Sequence, residues 1–91
     1  MPNIRIPTPL RAFTSNESQV QVGGATVGEA LSNLTVRYPE LRQHLYDGET
    51  LRSFVNVYLG DEDVRFLDGL ETNLEESDSL RIIPSIAGGA G

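Results

Sequence analysis

The chain of 91 residues has no cysteine. That excludes disulfides, thiol nucleophiles, persulfide chemistry and cysteine-based metal sites. It also removes any need for an oxidising compartment. Histidine occurs once, at His44, and one histidine without cysteine cannot build a usual zinc site. Lysine is missing altogether: the seven basic residues are Arg5, Arg11, Arg37, Arg42, Arg52, Arg65 and Arg81. A GC-rich coding bias is the plain reading. The sharper one is that a lysine-free surface offers no ε-amine to an activated acyl group. Positive charge is scarce, with a net charge of −6. This argues against nucleic acid, whose phosphates demand a basic surface, and favours solubility and docking to a basic partner.

No apolar run approaches membrane-spanning length. The opening "MPNIRIPTPL" has prolines and no apolar core of a signal peptide. The expectation is a soluble cytoplasmic protein, without membrane contact and monomeric when free. Catalytic constellations are missing too. No serine sits on a strand-to-helix elbow, and "GGAT" before the helix lacks the Gly-Lys-Ser/Thr ending of a phosphate loop. An enzyme is therefore not expected, nor a bound metal or cofactor.

What is present reads as one α+β domain. "NIRI" (3–6) alternates and predicts a half-buried strand, whose far end Pro7 and Pro9 confine to an edge or bulge. "TSNES" (14–18) is turn chemistry, and "VQV" (20–22) predicts a second strand in a long-looped hairpin. Thr26 and Glu29 have the spacing of a capping box. Val27, Ala30, Leu31 and Leu34 follow as one apolar helical stripe. Gly28 weakens that helix, and Pro39 stops it near Tyr38. Residues 40–45 allow one further turn, and "DGET" (47–50) reads as a loop.

"FVNVYL" (54–59) alternates strongly, with Val55, Val57 and Leu59 opposite Phe54, Asn56 and Tyr58. "GDED" (60–63) is an acidic turn, and "VRF" (64–66) predicts a short return strand. The stretch 67–78 lacks alternation and could hold one helical turn. "LRIIP" (80–84) is the last strand, ended by Pro84. The expectation is a mixed sheet of four to five strands on one main helix, with a body over 1–85 and a flexible tail over 86–91.

Three features stand out. Eight of the thirteen acids lie between Asp61 and Asp78, with only Arg65 opposing them; charge runs of this kind are usually a solvated face. Tyr58 and Ile83 fall on the sheet face away from the helix, as a contact patch or as ordinary exposed hydrophobes. The third is the ending "SIAGGAG" (85–91), in which five of seven residues are Gly or Ala. Glycine has no Cβ and can lie extended in a slot too narrow for other residues. A carboxyl end clear of the body can be captured in another protein's active site.

These pieces together resemble a family. "DSLRIIPSIAGG", "TVGEALSNLTVRYPEL", "FVNVYLGDEDVRF" and "PTPLRAF" are similar to ubiquitin-like sulfur carriers of the MoaD/ThiS family, over nearly the whole chain. "RSFVNVYLGDEDVRFLDGLET" resembles the branch serving cysteine biosynthesis. The resemblance implies a β-grasp fold and a function. In it, an E1-like adenylyltransferase/sulfurtransferase activates a terminal glycine with ATP. Sulfur then displaces AMP, and the resulting thiocarboxylate donates sulfur to an acceptor such as a PLP-dependent cysteine synthase. Carried over, Gly89 bears the sulfur, Gly88 threads the activating site, and Ile86 and Ala87 are tail contacts. Arg11, Tyr58 and Ile83 are the expected partner face. The sequence departs from the pattern in that Ala90 and Gly91 follow the glycine pair. A JAMM-type metalloprotease would remove them; the rival is activation of Gly91 itself. Two other functions stay open: a protein modifier forming isopeptide bonds, and a noncovalent binding module with an idle tail.

Overall fold

The computed structural model describes residues 1–84, so Ile86, Ala87, Gly88, Gly89, Ala90 and Gly91, and with them the expected body–tail boundary, lie outside the described residues. The chain opens with β1 (Asn3–Arg5) and returns through β2 (Gln19–Gln21), paired antiparallel. Ile4 and Val20 face each other in this hairpin, and both are buried. The turn chemistry at 14–18 appears as positive φ at Ser15 and Asn16. Between the strands, Thr8–Phe13 forms a 3-10 helix that buries Leu10. The prolines that were expected only to limit a strand instead start this helix. Pro9 sits in its first turn, where a missing amide proton breaks no hydrogen bond. Thr14 closes the connection, fully buried, its hydroxyl shared between the carbonyls of Arg11 (3.3 Å) and Glu17 (3.0 Å).

Helix α1 spans Val27–Arg37. Its capping box forms with one change of partner. The Glu29 amide donates to Thr26 Oγ1 (3.2 Å), while the Glu29 carboxylate accepts from the Ala25 amide (2.9 Å), one residue ahead of the cap. The predicted stripe Val27, Ala30, Leu31 and Leu34 is wholly buried. Gly28 has a packing reason that the sequence hides. A Cβ there would stand 3.1 Å from the Leu70 carbonyl oxygen and 3.2 Å from the Leu70 Cβ. The 69–74 segment is bound to this end of the helix, since Val27 N–H donates to Thr72 O (2.9 Å) and Leu74 N–H to Ala25 O (2.8 Å). α1 stops at Tyr38, and Pro39–Leu41 continues as a 3-10 turn into the short α2 (Arg42–Leu45).

Next come β3 (Tyr46–Asp47) and β4 (Thr50–Leu51), which pair with each other as a separate two-stranded sheet. The sequence reading made 47–50 a loop. The correction is a tight hairpin that buries Tyr46 across from Leu51. β5 (Val55–Leu59) and β6 (Glu62–Asp63) pair antiparallel. The predicted return strand over 64–66 is a second correction. Val64–Phe66 is a 3-10 helix, because the Asp63 carboxylate accepts from the Arg65 amide (2.9 Å) and turns the chain. Gly69–Glu71 supplies the single helical turn expected in the stretch that follows.

The last strand, β7 (Ser79–Pro84), lies in the middle of the main sheet, whose order is β2-β1-β7-β5-β6. It runs parallel to β1, with Ile4 beside Leu80, and antiparallel to β5, with Val57 beside Ile82. Ile4, Ile6, Val55, Val57, Leu80 and Ile82 meet the α1 stripe in one core that also takes in Leu41 and Leu45.

Two substitutions at the helix entry test this account. Gly24 has φ +152°, and a Cβ there would lie 2.7 Å from the Ala30 amide nitrogen. Gly24→Ala is expected to destabilise the fold by about 1–3 kcal/mol in urea unfolding, and Thr26→Ala by about 1 kcal/mol. Wild-type midpoints in both would disprove the cap geometry.

Candidate functional site

The sheet places its outlet centrally. β7 pairs with β1 over Ser79–Arg81 and with β5 from Leu80 to Pro84, which stands opposite Val55. The chain beyond Pro84 thus leaves from a strand that two neighbours anchor at its start and β5 alone holds over its last three residues. The two faces of β7 differ sharply. Leu80 and Ile82 are buried, whereas Arg81 and Ile83 point away from the core. Ile83 is 38% exposed.

Tyr58 shares that outer face. It pairs with Arg81 in register, and the Arg81 guanidinium lies 5.8 Å from the Tyr58 ring centroid, a cation–π contact. Asn56 sits opposite Ile83. Tyr58 and Ile83 are therefore diagonal neighbours on one surface. Arg11 has a different setting. It lies in the 3-10 helix over Thr8–Phe13, and its Nε donates to the Ile6 carbonyl (3.1 Å), closing that segment on the end of β1.

The structure adds a feature that the sequence reading passed over. A groove of ≈ 360 Å³ opens beside Pro84, lined among others by Pro9, Leu10, His44, Arg52 and Phe54. His44, the lone histidine, is half-buried and stacks on Phe13 with ring centroids 4.2 Å apart. Phe54 lies just ahead of β5 and is 45% exposed. Its period-two pattern placed it on the outer face with Tyr58; only the bend into β5 reveals the groove.

A larger hollow of ≈ 620 Å³ lies on the far side of Arg52, between Arg42, Tyr46 and Asp47. Burial pushes the Tyr46 phenol above the usual 10.0, against the opposing pull of Arg42, whose guanidinium stands 5.0 Å from the ring centre. Among the described residues, no three His, Asp or Glu side chains gather as a metal site. The eight acids from Asp61 to Asp78 are mostly exposed. Nor is any helix among them long and apolar enough to cross a membrane.

A mixed five-stranded sheet packed on one helix, with a central last strand, defines a ubiquitin-like β-grasp domain. Residues 4–89 match the ThiS family, and the chain belongs to that family. It is similar to the sulfur carrier protein CysO of Mycobacterium tuberculosis, with 40% identity over 94% of this chain and 96% of the relative. It is also similar to a chain in the crystal structure of the Amycolatopsis orientalis BexX/CysO complex. There the TM-score is 0.89 at 42% identity, covering 98% of this chain and 100% of that one. The small archaeal modifier protein 3 of Haloferax volcanii is 35% identical over 71% of both chains. The chain is accordingly a CysO-like protein of the sulfur-carrier type, a small carrier and not an enzyme.

The face assignment gives a first prediction. Ile83→Asp should change stability by no more than about 0.5 kcal/mol, while Ile82→Ala should cost about 2–5 kcal/mol; equal losses in denaturant titrations would contradict the register. Tyr46 gives a second. A group whose folded pKa is raised favours folding below its unfolded pKa and loses that contribution as pH rises through the folded value. Stability should thus hold up to pH 10 on Tyr46's account and fall above it. Ultraviolet titration should show one tyrosine ionising late, and Tyr46→Phe should remove that late step.

Proposed function

We propose that the chain carries sulfur on the carboxylate of Gly89 and donates it in biosynthesis, most directly of cysteine. The observation that carries this reading is where the ThiS match ends, at Gly89 of the Gly88-Gly89 pair, five residues beyond a strand held from both sides. A chain extends about 3.3 Å per residue, so Gly89 can stand roughly 16 Å beyond Pro84. That reach lets a buried active site take the glycines while the body stays outside.

The chemistry follows from the carboxylate. An E1-like enzyme attacks ATP with the Gly89 carboxylate oxygen, giving an acyl adenylate and releasing pyrophosphate. Hydrosulfide then adds to the acyl carbon, AMP leaves with the bonding pair, and the sulfur-bound proton passes to water. The product is a glycyl thiocarboxylate. A PLP-dependent cysteine synthase, or another acceptor enzyme, takes the sulfur from it. The carrier contributes no acid, base or nucleophile of its own; ATP belongs to the activating enzyme. Only a free carboxylate can be adenylated, so Ala90 and Gly91 must first be removed, by a JAMM-type metalloprotease. Gly88, Ala87 and Ile86 thread the partner's slot, and Tyr58, Ile83 and Arg11 meet its surface. The working place is the cytoplasm. The complex of the A. orientalis relative with BexX supports a partner-bound mode of action for this chain too.

A second reading has one specific support, the similarity to the H. volcanii modifier protein. The same adenylate would then be attacked by an amine on a target protein. The two readings separate by mass. Incubated with ATP, sulfide and the activating enzyme, a chain ending at Gly89 should exchange one oxygen for sulfur, while the chain ending at Gly91 should not. Sulfur on an intact Gly91 end would overturn the maturation step. A ladder of high-mass adducts in cells, without any thiocarboxylate, would favour the modifier.

A further inference from the structure

The groove beside Pro84 has a chemical character that the carrier reading does not use. Its walls are apolar at Pro9, Leu10, Phe54 and Pro84. Its polar rim includes Arg52 and His44, and no carboxylate lines it. Arg52 is held in place, since its Nε donates to the Gln43 carbonyl (3.0 Å). Arg65 adds a second guanidinium close by. One of its terminal nitrogens donates to Ser53 O (3.0 Å) and Val55 O (2.9 Å), the carbonyls on either side of Phe54.

This cationic end is unusual in a chain of net charge −6. The acids lie elsewhere along the sheet. β5 and β7 are antiparallel, with Leu59 beside Leu80 at one end and Val55 beside Pro84 at the other. Asp61 and Glu62 follow Leu59, and Glu75, Glu76 and Asp78 precede β7, so these five acids gather toward the Leu80 end, while Asp63 turns back beside Tyr58 and caps the Arg65 amide. Arg52 and Arg65 stand at the opposite end, where the tail begins. Glu40 and Asp47 line a hollow on the other side of Arg52, and Asp47 also reaches the rim that Arg52 shares with Ser53 and Phe54, but neither lines the groove at Pro84. A partner approaching the tail root therefore meets an apolar slot flanked by positive charge.

We infer that the groove docks an extended acidic segment with one large apolar side chain, presented by an enzyme that works on the tail. The apolar side chain fills the slot between Phe54 and Leu10. Its flanking carboxylates pair with Arg52 and Arg65, and Arg can hold a carboxylate by two parallel hydrogen bonds. The complementary charge raises the encounter rate and orients the partner with its active site over the tail. This surface is distinct from the outer-face pair Tyr58 and Ile83, so an enzyme could grip the carrier from both sides of β7. The inference rests on the reading that another enzyme works on the tail, but its test does not require the tail to be activated.

The test is a nuclear magnetic resonance titration of the full, isotope-labelled chain with the peptide acetyl-Glu-Asp-Phe-Glu-Asp-amide. Saturable shifts are expected at the Phe54 amide, the Arg52 Nε–H and the His44 ring. Arg52→Glu and Phe54→Ser should each weaken binding roughly tenfold, and added salt should weaken it further. Phe54 is partly exposed, so Phe54→Ser keeps the fold. Unmoved resonances at these three places would overturn the inference, as would equal binding of a peptide with Lys and Arg in place of the acids. Contacts between Ile86 methyls and the Phe54 ring in the free chain would assign the groove to the chain's own tail instead. Shifts that grow with protein concentration would assign it to a second copy. No ATP or sulfide is present, so failed sulfur loading and failed docking are read separately.

Discussion

The parallel ladder between β1 and β7 is the constraint on which the rest of the structure depends. It joins the first strand of the chain to the last, Asn3–Arg5 to Ser79–Arg81. Because β7 also pairs with β5, the strand that ends at Pro84 has hydrogen-bonded neighbours on both sides. Its inward residues, Leu80 and Ile82, sit in the same core as the α1 stripe. The position and direction of the outlet are thus set by the whole domain and not by a local loop. A carrier needs this arrangement. On the proposed reading the sulfur-bearing end is chemically simple, and the body's task is to present it in a defined place.

The body itself carries little that reacts. Its buried groups are aliphatic with few exceptions, and those exceptions are bonded. Thr14 has two carbonyl partners, and no buried side-chain nitrogen or oxygen among the described residues is left without a hydrogen bond. Recognition is accordingly a matter of surface. The outer face offers Tyr58 under Arg81 with Ile83 beside them, and the groove at the tail root offers Phe54 between two arginines. Membership of the ThiS family accords with a body of this kind, a small carrier whose last strand sits inside the main sheet.

Much of this was legible from residue order, and the exceptions have physical causes. The capping box, the α1 stripe and the alternation of β5 and β7 are strong periodic signals that tertiary contacts only reinforce. The 3-10 helix over Thr8–Phe13 was missed because proline was weighed only as a strand breaker, although it suits a helix start equally well. The hairpin at Tyr46–Leu51 carried an Asp-Gly turn signal, but its strands are two residues each, too short to show alternation. Val64–Phe66 looked like a strand by composition. Asp63 overrides that preference by capping the Arg65 amide, and Phe66 ends 82% exposed, where a strand would have placed it on the same side as the buried Val64. The groove at Pro84 could not be seen at all, because it joins residues 9–10, 43–44, 52, 54 and 84 only through the fold.

The same central ladder has a mechanical meaning. A pull applied at Pro84 along the axis of β7 acts parallel to both neighbouring strands. The hydrogen bonds to β1 and β5 then resist in shear, as a group, and do not unzip one after another. A machine that tugs on this end loads the β5 ladder first and the β1 ladder only from Arg81 inward. Load on the terminus is thus spread over two ladders of the main sheet and not borne by a local loop.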